Sequence, residues 1–131
     1  MSKSCSIDVR SQLDELRRLE NGWYNGKGQK PPEEGLDWLI DSWNRYCPSS
    51  TFVPSLVPWV DGTVHGEFVL GQYEIVLKFD LIKHTCILFV FDLADDSDDA
   101  VVEYKYNFKQ NEHFEWTKFF KKIRQLHKIY L

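Results

Sequence analysis

Apolar positions near the start of the chain recur at intervals of three and four. Val9, Leu13, Leu16 and Leu19 fall on one side of a helix, and this spacing predicts a helix over 6–20 with Ser6 at its cap. Asp14 and Arg18 stand four apart on the other side, spaced to pair. The segment 21–32 breaks the period with Asn21-Gly22, Asn25-Gly26 and Gly28, residues that accept positive φ and form tight turns. Trp23 and Tyr24 lie inside it and must either plug back into the core or face a partner. Pro32 opens a second helix, with Glu33 and Glu34 in the first turn where negative charge suits the helix dipole. Leu36, Leu39, Ile40, Trp43 and Cys47 form its apolar stripe, and Pro48 ends it.

From there the period changes to two. Strands are predicted over 55–60, 63–70, 73–79, 85–93 and 100–108. Asp61-Gly62 turns the first hairpin, where both residues accept positive φ, and Gly71-Gln72 turns the second. In the third strand Tyr73, Ile75, Leu77 and Phe79 point one way, and Glu74, Val76 and Lys78 the other. The fourth is apolar on both faces, which places it centrally. In the fifth, Val102, Tyr104, Tyr106 and Phe108 point inward. A last helix from 112 to the C-terminus carries Trp116, Phe119, Phe120, Ile123, Leu126 and Tyr130 on one face and lysines opposite. Helices segregated from short-turned strands imply an α+β fold: two N-terminal helices, a four- to five-stranded antiparallel meander, and a C-terminal helix packed on one face of the sheet.

At 131 residues the chain is long enough for one domain spanning 1–131. Its longest apolar run, from Cys86 to Phe91, is far short of the roughly 20 residues that cross a bilayer. The N-terminus lacks the apolar stretch of a secretory signal. Three widely spaced cysteines, Cys5, Cys47 and Cys86, read as free thiols, with Cys86 a small core residue. A cytoplasmic location is therefore expected. The net charge of −4 argues against direct nucleic-acid binding, which uses strongly basic domains. That charge is polarised: Asp92, Asp95, Asp96, Asp98, Asp99 and Glu103 lie in a run without a base, and Lys118, Lys121, Lys122, Arg124 and Lys128 in one without an acid.

Catalytic and metal signatures fail on spacing. His65-Gly66-Glu67 supplies the first half of a zinc-deaminase motif, but no paired cysteines follow. His84-Thr85-Cys86 supplies two of about four zinc ligands and reads more simply as a structural histidine at a turn. The acidic run lacks the glycine and glutamate of a calcium loop, and Gly26-x-Gly28 follows no strand. No nucleophile elbow is present. No catalytic residue, metal or cofactor is predicted. Aromatic residues make up 15% of the chain, and core filling accounts for most of them. Trp23, Tyr24 and Trp59, beside the Asp-Gly turn, are the candidates for exposure and for anchoring an interface.

One resemblance is carried by Leu13-x-x-Leu16-x-x-Leu19, then Gly22-Trp23-Tyr24-Asn25-Gly26-x-Gly28, then Pro31-Pro32 opening a helix, Asp61-Gly62 and the alternating strand from Tyr73 to Phe79. Over about half its length the chain resembles a loose group of small uncharacterised bacterial and phage-borne proteins with a helix, a GWDGxGxxxP loop, a helix and a curled sheet. Here Tyr24-Asn25 interrupts the loop motif and its acid is missing. The resemblance implies a similar fold and an accessory-genome origin, and carries over no catalytic residue.

The function expected is a non-enzymatic inhibitor that neutralises a larger protein or nucleoprotein partner by occlusion, antitoxin-like or of the anti-defence (anti-CRISPR-like) kind. Trp23, Tyr24 and Trp59 would supply apolar contact, and Asp95, Asp96, Asp98 and Asp99 would engage a basic groove. The alternative is a small enzyme or ligand carrier with a pocket between helices and sheet holding His65, Glu67 and Tyr73. A third expectation is a homodimer through the last helix.

Overall fold

The computed structural model of the protein describes residues 4–48, 53–95 and 101–130, without the side chains of 4–8 and 130. The elements follow in the order α1 (Ser4–Leu16), α2 (Glu33–Tyr46), β1 (Ser55–Pro58), β2 (Val64–Leu70), β3 (Tyr73–Asp80), β4 (Thr85–Asp92), β5 (Val101–Asn107) and α3 (Glu112–Tyr130). The five strands form one antiparallel meander in the order β1-β2-β3-β4-β5. The fold is α+β, with the helices before and after the sheet.

The apolar stripes read from the sequence are buried: Val9, Leu13 and Leu16 on α1, Leu36, Leu39, Ile40 and Trp43 on α2, and Trp116, Phe119, Phe120, Ile123 and Leu126 on α3. They meet Ile75, Leu77, Phe79, Cys86, Leu88 and Tyr106 on one face of the sheet. Most of the aromatic residues lie in or against this core. Trp43 meets Phe120 edge-on at 5.0 Å, and Phe108 stacks on Trp116 at 4.0 Å. Burial holds the Cys86 thiol well above its ordinary value of 9.0, as suits a small core residue.

Local departures from the sequence reading have local causes. Helix α1 begins at Ser4, so Ser6 lies inside it, and ends at Leu16. Beyond Leu16 the backbone tightens to bonds from Arg18 to Glu15 and from Leu19 to Leu16, each 3.2 Å. Arg17 turns toward α2 and bonds both Asp14 and Asp37. Arg18 consequently pairs with Glu15, at 3.4 Å, and not with Asp14. Strand β1 stops at Pro58 because Trp59 and Gly62 close the turn. In that turn Gly62 alone takes positive φ (86°), while the Asp61 carboxylate accepts hydrogen bonds from the Thr63 amide (3.0 Å) and hydroxyl (2.6 Å).

The sheet has one helix-covered face and one open face. Strand β4 lies between β3 and β5, one place from the centre. Its second apolar row, Ile87, Phe89 and Phe91, is half-buried on the open face, and among the described residues no second layer encloses it. Val102, Tyr104 and Tyr106 of β5, and Phe108 after it, face the helix side as read, but the cover is complete only toward the end: Tyr106 and Phe108 are buried, Tyr104 is half-buried, and Val102 is 47% exposed because α3 covers only the later residues. Among the described residues, no helix is long and apolar enough to cross a membrane.

Candidate functional site

The glycine-rich loop folds as a tight hairpin. Tyr24 and Lys27 exchange backbone hydrogen bonds of 2.7 and 2.9 Å across Asn25 (φ 52°) and Gly26 (φ 83°), a two-residue turn with both central φ values positive. The hairpin tip holds Tyr24 out, 55% exposed. Trp23 is half-buried, and its indole N–H donates to the Gln29 carbonyl at 2.9 Å, which fixes the ring. Gln29 in turn donates its amide to the Val60 carbonyl at 2.8 Å. That bond ties the glycine loop to the β1–β2 connection.

Three aromatic side chains meet as a result. Trp23, Tyr24, Pro58, Trp59 and Val60 line one open groove of about 430 Å³. Trp23 and Tyr24 pack edge-on at 5.8 Å, and Trp59 is 48% exposed. Among the described residues, the Trp59 indole N–H and the Tyr24 hydroxyl have no hydrogen-bond partner in the protein. Both are free to bond an occupant. Among the described residues, its walls carry no acid, base or thiol beyond the Tyr24 phenol.

Trp59 also joins the groove to the open sheet face, since its ring lies on His65 of β2. The register sets Val57, His65, Lys78, Ile87 and Lys105 in one row across that face. The next row runs Ser55, Glu67, Val76, Phe89 and Glu103. The face is thus half apolar with charges interspersed. Burial first and Lys78 second lower the His65 pKa below its usual 6.5, against a smaller pull from Asp61.

Asp92 and Asp95 lie elsewhere. Asp92 pairs with Tyr73 at the far end of the strands, roughly 20 Å from the groove by strand rise. It accepts from the Gln72 amide group and the Ala94 N–H, both at 3.0 Å. Asp95 follows and is exposed. Asp96, Asp98 and Asp99 lie outside the described residues. The structure therefore brings Trp23, Tyr24 and Trp59 together and sets Asp95 apart from them.

His65, Glu67 and Tyr73 do not share one face of the sheet. His65 and Glu67 stand on the open face, whereas Tyr73 shares the helix-side face with Ile75 and Leu77. His84 stacks on Trp38, with ring centroids 4.1 Å apart, and Cys86 points into the core. Among the described residues, no three His, Cys, Asp or Glu side chains converge to hold a metal ion. What sequence reading missed is the role of Pro58, Val60 and Gln29; nothing in local spacing marks a loop-to-loop bond.

No protein-family model matches the chain, and neither a curated protein nor a solved structure is significantly similar to it.

Proposed function

We propose that the chain is a non-enzymatic protein-binding inhibitor that neutralises a larger protein or nucleoprotein partner by covering its working surface. The observation that carries this reading is the convergence of Trp23, Tyr24 and Trp59 around one groove that opens toward a half-apolar sheet face. Aromatic side chains in a concave site bury large area at small entropic cost and dominate interface energetics. The occupant is an apolar or aromatic anchor on a partner whose surrounding surface is basic. Asp92 and Asp95 at the far end of the same sheet, with the acids that follow in sequence, steer such a surface into register.

The test is capture of the partner from the native cell with three forms of the protein: unaltered, Tyr24→Ala with Trp59→Ala, and Asn at Asp95, Asp96, Asp98 and Asp99. We expect one partner, inhibited in its own activity by the unaltered protein. The aromatic variant should bind it at least about 30-fold more weakly. The asparagine variant should lose much of the salt dependence. A partner held equally by all three forms, or bound without inhibition, refutes the reading.

A second reading rests on the groove's volume, which falls in the range of roughly 300–1,000 Å³ typical of small-molecule sites. A metabolite retained in native mass spectrometry and lost with Trp59→Ala would establish it in place of the first.

A further inference from the structure

The two edges of the sheet are finished differently. At the β1 edge, Gln12 of α1 covers the backbone: its side-chain amide donates to the Pro54 carbonyl at 3.0 Å, and its carbonyl oxygen accepts from the Leu56 amide at 2.7 Å. Pro54 and Pro58 further blunt that edge, since proline offers no N–H to a new strand.

Among the described residues, nothing covers the β5 edge in this way over most of its length. The Asn107 amide donates to the Glu115 carboxylate at 3.0 Å, away from β4, while the Phe108 amide donates back to the His84 carbonyl at 3.0 Å. Antiparallel ladders alternate the direction of successive backbone groups. The N–H and C=O of Val101, Glu103 and Lys105 therefore point out of the sheet, and among the described residues nothing bonds them. Val101 and Val102 are 38% and 47% exposed. This is a row of unpaired backbone groups on a strand of seven residues, ready for an added strand.

We propose that β5 is a self-association edge: two copies pair antiparallel through it about a twofold axis at Tyr104, setting Glu103 of each copy opposite Lys105 of the other. Charge complementarity selects both the occupant and the register. Pairing outward-facing residues with one another allows the strands to slide only in steps of two. One step either way puts Glu103 on Glu103 or Lys105 on Lys105, and like charges directly opposite are destabilising. The Tyr104 register gives two opposite-charge pairs, both on the open face. A lysine on an edge strand guards against indiscriminate pairing. Here it is matched by a strand bearing an acid two residues before it, which the chain itself supplies. Lys122 of each copy is held over its own Tyr104 ring, 4.5 Å from its centroid. The product is a ten-stranded sheet whose open faces run together.

A contact this small belongs with weak, reversible interfaces, below about 1,200 Å². Sedimentation equilibrium of the full chain up to about 1 mM, a range that reads dissociation constants in the weak regime, is the measurement. The unaltered protein should dimerise and lose affinity as salt rises. Glu103→Lys and Lys105→Glu, each of which turns both attractive pairs repulsive, should each weaken the dimer at least about tenfold. The double exchange, Glu103→Lys with Lys105→Glu, should restore it. These positions are exposed, and circular dichroism verifies that each variant is folded. A monomer at the highest concentration overturns the proposal. So does a dimer indifferent to the single changes, or one that the double exchange fails to rescue. The Trp59 and Tyr24 substitutions should leave the dimer intact, which separates this inference from the reading of the groove.

Discussion

The Trp59 indole lies flat on the His65 imidazole, with ring centroids 4.6 Å apart and planes within 9°. The contact buries the His65 Nε2 without giving it a hydrogen-bond partner among the described residues. Lys78 stands beside His65 in the same cross-strand row. A protonated ring there would lose water and meet a like charge. The folded protein therefore favours neutral His65 and holds its pKa below the 6.5 of the free side chain, through burial first and Lys78 second.

This shift has a definite sign in stability. Above pH 6.5 the imidazole is neutral whether the chain is folded or not, and nothing is lost. As pH falls through 6.5 the unfolded chain takes up a proton that the folded protein resists, and stability drops. His84, whose pKa burial and then Lys109 also lower, adds in the same direction. Melting temperature should fall between about pH 7.5 and about pH 5.5, and His65→Gln should flatten that dependence. An imidazole titrating at or above 6.5 by proton NMR would contradict the packing argument.

Gly28 makes room for the wall of the groove. A Cβ there would sit 2.9 Å from the Trp23 Nε1, and the backbone holds φ at 94°. Gly28→Ala should therefore expel the Trp23 ring, break its bond to Gln29 and cost about 1–3 kcal/mol. Chemical denaturation gives the loss, and altered Trp23 fluorescence, assigned by replacing the other tryptophans, gives the displacement. An unchanged spectrum would mean the ring is not held by this bond.

Gly35 sets a contest between propensity and space. Inside α2, alanine would gain about 1 kcal/mol over glycine from helix propensity alone. Yet a Cβ at Gly35 would reach within 2.7 Å of the Leu81 carbonyl oxygen, a backbone atom that cannot swing aside. Overpacking of this kind costs typically 1–3 kcal/mol or more. The clash should win, and Gly35→Ala should destabilise the protein; a rise in melting temperature would show that α2 can lift off the β3–β4 connection freely.

Gln12 serves two backbone groups at once. Gln12→Ala should leave the Leu56 amide and the Pro54 carbonyl without their partner and cost about 1–3 kcal/mol. Gln12→Glu keeps the acceptor for Leu56 but sets a carboxylate against the Pro54 oxygen, so it should recover only part of the loss. Urea unfolding distinguishes the three proteins; equal stability of all three would mean that water replaces Gln12 at no cost.

Much of the fold was legible because its signals are local. The stripe Leu36, Leu39, Ile40, Trp43 needs only a helical period to be read, and each of these residues is buried. The alternation from Tyr73 to Phe79 likewise separated the core face of β3 from its open face. The end of α1 was less legible. Leu19 continues the apolar period, but Arg17 finds a better partner in Asp37, a residue of another helix.

By itself, then, the sequence determined which side of each element is apolar, where the chain turns, and that no strand need cross another. Those properties follow from steric and hydration preferences acting over a few residues. Only the tertiary structure decided that Trp23 and Tyr24 would face Trp59, that Tyr73 would stand behind the sheet from His65, and that Gln12 would close one edge while the other stays open. Each of these depends on a bond or register between segments far apart in the chain. Such a pairing is selected by the packing of the whole core and leaves no periodic trace in either segment alone.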